Sequence, residues 1–101
     1  MNTPPVSRVV TVRNEQGFHA RPAEMFARMS LKFDAEVTVI RDGRRMDGKS
    51  IIDLLTMGAT QGTELTIEAT GKEAAKAVEA LAELVESGFH GEDQNQSGQG
   101  K

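Results

Sequence analysis

The chain contains no cysteine, tryptophan or tyrosine, and its four phenylalanines are only 4% of 101 residues. Without cysteine there is neither a disulfide framework nor a thiolate metal site. With so few rings, the core must come from Val, Ile, Leu, Met and Ala. No basic stripe with interleaved aromatics is present, and 12 basic against 15 acidic residues leave a formal charge of −3. Both features argue against general nucleic-acid binding. The two histidines, His19 and His90, lie far apart with no ligand cluster around either, so no metal and no cofactor is expected. No apolar run approaches membrane-spanning length, and the N-terminus lacks the apolar stretch of a signal peptide. A cytoplasmic protein with no membrane insertion is the simplest expectation. A chain this short makes one domain with a modest buried fraction, which favours a superficial site over an enclosed pocket.

What is present centres on Gly17-Phe18-His19-Ala20-Arg21-Pro22-Ala23. Before it, Val9-Val10-Thr11-Val12 reads as a strand and Asn14-Glu15-Gln16-Gly17 as a polar turn. After it, Ala23, Phe26, Ala27 and Ser30 or Leu31 recur at helical spacing. Pro22 suits a first helical turn, where a missing N–H costs nothing. His19 therefore falls at or next to a helix N-cap. The leading N–H groups of a helix lack partners and carry partial positive charge. Here the nearest donors are assigned to Ala20, Arg21 and Ala23, and the Arg21 guanidinium adds a fork suited to phosphate. A neutral imidazole in that setting can attack phosphorus while the N–H groups hold the phosphoryl oxygens. A lone histidine is more often a cap or a buried structural residue. The glycine before, the arginine two after and the proline three after weigh toward phosphate chemistry.

The rest of the chain reads in order. Residues 1–5 form a flexible lead-in containing Pro4 and Pro5. A strand at about 6–12 points Val10 and Val12 inward, and the His19 helix ends near Leu31 or Lys32. A second strand at 35–40 leads through an Asp42-Gly43 hairpin turn into a third at 44–47. Ser50 opens a short helix, with Asp53 three residues on as a capping-box variant. Leu54 and Met57 are assigned to its core side. Ile51, Ile52 and Leu55 remain at least partly exposed, a pattern that favours partner docking over full burial. A fourth strand buries Leu65, Ile67 and Ala69. A last helix at about 72–86, capped by Thr70 with Glu73, buries Ala74, Val78, Leu81, Ala82 and Val85. The stretch 89–101 has almost nothing to bury and reads as a disordered tail, with no role for His90. The element order β-α-β-β-α-β-α and the clean strand alternation give an α+β fold: an antiparallel sheet with one wet face and three helices on the other.

The His19 heptapeptide closely resembles the active-site motif of the HPr family, histidine phosphocarriers of the bacterial sugar phosphotransferase system. Gly48-Lys49-Ser50-Ile51-Ile52-Asp53-Leu54-Leu55 resembles that family's regulatory serine region, and residues 58–67 its turn and last strand. The matches keep family order and spacing over about residues 6–88, taken as the domain. The resemblance implies the strand order 1-4-2-3, a monomer, and a carrier with no turnover of its own. It implies that enzyme I charges His19 on Nδ1, using phosphate from phosphoenolpyruvate, and that IIA domains take the phosphoryl group on. Arg21 would stabilise the moving phosphoryl, Ser50 would be a regulatory site for a serine kinase and phosphatase, and Phe18, Ile51, Ile52 and Leu55 would dock partners. Two other readings remain: a regulatory binding module acting through the Ser50 helix, and a nitrogen-branch carrier with different IIA partners. The extension beyond the last helix departs from the family pattern.

Overall fold

Period-two alternation becomes one buried face of a four-stranded antiparallel sheet in the computed structural model, which describes residues 4–89. The elements are β1 (Val6–Thr11), α1 (Ala20–Ser30), β2 (Glu36–Arg41), β3 (Arg44–Asp47), α2 (Ile51–Met57), β4 (Glu64–Thr70) and α3 (Ala74–Glu86), and the strand order is β1-β4-β2-β3. Residues 1–3 of the expected lead-in, and 90–101 with His90, lie outside the described residues. Val10 faces Leu65, Ile67 faces Val39 and Ala69 faces Val37 across the ladders, so the inward side chains meet in rows. The β2–β3 hairpin turns at Asp42 and Gly43, with φ of 50° and 81°, the left-handed pair that a primed two-residue turn requires.

The helices cover the inward face. α3 packs on β1 and β4, and α1 packs on α2 and α3. α1 buries Pro22, Ala23, Met25, Phe26, Ala27 and Ser30, whose hydroxyl donates to the Phe26 carbonyl at 2.9 Å, while Leu31 just beyond is left exposed. Ala77 and Leu84 join the expected inner stripe of α3. Phe26, Leu54, Leu65, Ile67 and Leu81 are the largest fully buried side chains. Each contributes roughly 1.5–3 kcal/mol by leaving water.

The expected Ser50 cap is present at α2 without the reciprocal half of a capping box, and the box expected at α3 is absent. At α2, the Asp53 N–H donates to Ser50 Oγ at 3.1 Å, but the Asp53 carboxylate accepts the Asp47 N–H at 3.0 Å and so ties α2 to β3. At α3, Thr70 plays no capping part: Glu73 is itself the N-cap, and the helix starts at Ala74, later than expected. The Glu73 carboxylate accepts the Asp34 N–H at 2.8 Å and so ties the start of α3 to the loop after α1.

Phe89, assigned to the tail from its polar neighbours, is 2% exposed and closes the core. Gly88 and Phe89 both take positive φ, 76° and 64°, and the ring packs edge-on against another phenylalanine, Phe18. Phe89 therefore belongs to the packed core and not to the tail expected from residue 89.

Glu86 joins α3 to the exposed edge strand. Its carboxylate accepts the Thr11 N–H at 3.0 Å and the Arg13 guanidinium at 3.1 and 3.0 Å. The Thr11 N–H holds the carboxyl below its ordinary value of 4.5; desolvation opposes it, and Arg13 and then Arg8 lower it further. The folded state therefore keeps Glu86 ionised where the unfolded chain has begun to bind a proton. That stability is complete above about pH 4.5 and lost as pH falls through the folded value. Glu86→Gln is expected to lower Tm at about pH 7, by a margin that narrows as pH falls below the ordinary value of 4.5; a margin that stays constant as pH falls would contradict it.

Candidate functional site

The loop into α1 is shaped by contacts made before His19. Gly17 has φ of 68°, and a Cβ there would lie 2.3 Å from the Ala59 carbonyl oxygen, so no other residue fits this approach. The next N–H, of Phe18, donates to that same carbonyl at 2.9 Å. Phe18 then turns inward. It is 4% exposed, with its ring 5.7 Å from Phe26 and 5.2 Å, edge-on, from Phe89. The expectation that Phe18 docks partners is thus corrected: it anchors the loop in the core.

With Phe18 buried, the following residue emerges at the surface. His19 is the N-cap of α1, in an extended conformation (φ −92°, ψ −165°), and its exposed side chain makes no capping bond. The first bond of the helix runs from the Ala23 N–H to the His19 carbonyl at 3.0 Å. This corrects one of the three assigned phosphate donors, since the Ala23 N–H is spent inside the helix. Ala20 and Arg21 precede that first bond, and Pro22 has no N–H, so the helix begins with two backbone donors ahead of its ladder. The Arg21 side chain is exposed two residues from His19. His19 and Arg21 line one open depression of about 380 Å3, with Asn14, Met25 and, at its far wall, Gly88 and Phe89. The last two escaped sequence reading. The available signal was a single ring after glycine in a polar stretch of a chain with only four phenylalanines.

The second predicted group lies on α2. Ser50 is its N-cap, half-buried. Leu54 and Met57 face inward, while Ile51, Ile52 and Leu55 are 40%, 70% and 39% exposed. α1 and α2 are packed together, and Gly58 at the end of α2 precedes the Ala59 that holds the His19 loop. Among the described residues no group of three or more His, Cys, Asp or Glu could hold a metal ion, and no helix is long and apolar enough to cross a membrane.

The structure is thus a two-layer α+β domain that presents a surface histidine at a helix N-terminus beside an open depression. Comparison with known proteins gives the family. Residues 6–87 match the family described as "PTS HPr component phosphorylation site". The chain is 40% identical over 77 residues, 76% of its length, to the phosphocarrier protein HPr of Vibrio cholerae, of which 91% is covered. It is 36% identical over 81 residues to the HPr-like protein Crh of Bacillus subtilis, covering 80% of this chain and 95% of that one. The crystal structure of HPr-C-His from Thermoanaerobacter tengcongensis superposes with a TM-score of 0.80 at 32% identity, over 83% of this chain and 94% of that one. The chain belongs to the HPr family, the phosphocarrier component of the phosphotransferase system.

Proposed function

We propose that His19 accepts a phosphoryl group from phosphorylated enzyme I and passes it to IIA domains. The observation that carries this reading is an imidazole at the α1 N-cap, exposed and unused in capping. In the forward step the neutral Nδ1 attacks phosphorus, an N–P bond forms, and the bond to the donor breaks in line. The donors of Ala20 and Arg21 and the Arg21 guanidinium face the charge on the phosphoryl oxygens. An open depression lets a donor and an acceptor protein reach the same nitrogen in turn. The same openness gives the chain no means of holding a small substrate, so it is cycled by its partners and turns nothing over alone. Incubation with enzyme I and radiolabelled phosphoenolpyruvate is the test: acid-labile label on the chain is expected, and a domain that only binds targets takes none.

Ser50 adds a control point to this reading. A phosphate on its Oγ would sit at the first turn of α2, beside Ile51, Ile52 and Leu55. The helix end tolerates it, but about −1.5 to −2 charges next to an apolar patch must be desolvated whenever a partner docks there. Ser50→Asp keeps a capping oxygen and adds charge. Its expected result is slower uptake from enzyme I at an unchanged Tm. Wild-type uptake by this variant means Ser50 is only a cap.

A further inference from the structure

Asn14 lies five residues before His19 and lines the same depression. Its Nδ2 donates to the Gly17 carbonyl at 2.7 Å, and the Gly17 N–H returns to the Asn14 carbonyl at 3.1 Å. That Gly17 carbonyl also accepts the His19 N–H at 3.0 Å. The same peptide unit carries the Phe18 N–H, which donates to Ala59 at 2.9 Å. One peptide plane is therefore gripped at its oxygen by Asn14 and His19 and at its nitrogen by Ala59.

This grip leaves a group unsatisfied. Asn14 Oδ1 is buried with no hydrogen-bond partner. Turning the amide over would not help, because Oδ1 would then meet the Gly17 carbonyl, acceptor against acceptor. Only the orientation that strands Oδ1 lets Nδ2 hold Gly17. Buried acceptors without donors cost stability, and folds retain them mainly where something else is gained. The gain available here is the aim of His19, whose backbone N–H shares the carbonyl that Asn14 holds.

We propose that Asn14 is a positioning residue for phosphoryl transfer, acting through the Gly17 carbonyl to hold the His19 backbone where its ring can meet phosphorus in line. The inference rests on the phosphocarrier reading above. Group transfer depends steeply on such alignment: misplacement by about 1 Å can cost about 100-fold.

Two variants separate this role from a merely structural one. Asn14→Leu has similar bulk but neither the donor nor the stranded acceptor; Asn14→Asp keeps the shape and loses the donor. Their stabilities should diverge, since leucine removes the orphaned oxygen and aspartate sets a carboxylate against a carbonyl. Their transfer defects should coincide. With labelled phosphoenolpyruvate and enzyme I, both are expected to lose about 10- to 100-fold in rate at saturating enzyme I, with apparent KM unchanged. The His19 amide should exchange with solvent faster in both, while Tm of Asn14→Leu stays at or above wild type. A wild-type rate in Asn14→Leu, rates that follow Tm, a loss confined to KM, or wild-type protection of the His19 amide each overturn the proposal. Wild-type chain that takes no label at all instead defeats the phosphocarrier reading, and amide exchange then still decides whether Asn14 holds the loop.

Discussion

His19→Ala is expected to take up no acid-labile phosphate from enzyme I while melting within about 4 °C of wild type. The two halves of that result have separate causes. The imidazole is the only nucleophilic side chain at the α1 N-terminus, so its removal leaves the phosphoryl group nothing to bond to. The same side chain is exposed and caps nothing, so the fold loses little without it. An exposed substitution of this kind shifts stability by about 0.5 kcal/mol or less. Persisting label in His19→Ala would place the acceptor elsewhere. A collapse in Tm would mean that the histidine is structural. Label uptake by isotope transfer and melting by circular dichroism read the two halves independently.

Phe18→Ala should behave in the opposite way, with a large loss of stability. The ring is 4% exposed and wedged between Phe26 and Phe89, the latter edge-on at 89°. Deleting a buried phenylalanine costs about 3–5 kcal/mol through lost transfer energy and the cavity left behind. Small domains have only about 5–15 kcal/mol to lose. A drop in Tm of about 12 °C or more is expected. Ile52→Ala, at 70% exposure, is the control and should leave Tm nearly unchanged while weakening any docking at α2. Were Phe18 a docking residue, the two variants would behave alike: stable, with poorer uptake from enzyme I.

Phe18 also shows where sequence reading stops. Local patterns that depend on near neighbours were legible: the alternation of Leu65, Ile67 and Ala69, the Asp42-Gly43 turn, and the small and apolar face from Ala23 to Ser30 all recur in the structure. The strand order was legible only through family resemblance, because alternation says which face is buried and not which strand lies beside which. What misled were features settled at long range. The family resemblance assigns Phe18 to docking, yet its ring packs inward against Phe89, which lies far away in sequence. Glu73 looked like a cap partner for Thr70 until the loop at Asp34 claimed its carboxylate. Passing over Pro22, which has no N–H, makes Ala23 the third phosphate donor on the sequence; with the cap at His19, its N–H already belongs to the helix. Asn14 reads in the sequence as part of a polar turn, and its side-chain bond to Gly17 appears only in the fold.

The most direct test of the central claim is a pulse and chase on the wild-type chain. Enzyme I and labelled phosphoenolpyruvate charge it, enzyme I is removed, and a IIA domain is added while the imidazole nitrogens are followed by NMR. The account predicts that phosphorus appears on Nδ1 of His19, survives until the acceptor arrives, and then leaves the chain and appears on the IIA domain. Label that never reaches His19, or that reaches it and leaves only to water, contradicts the account.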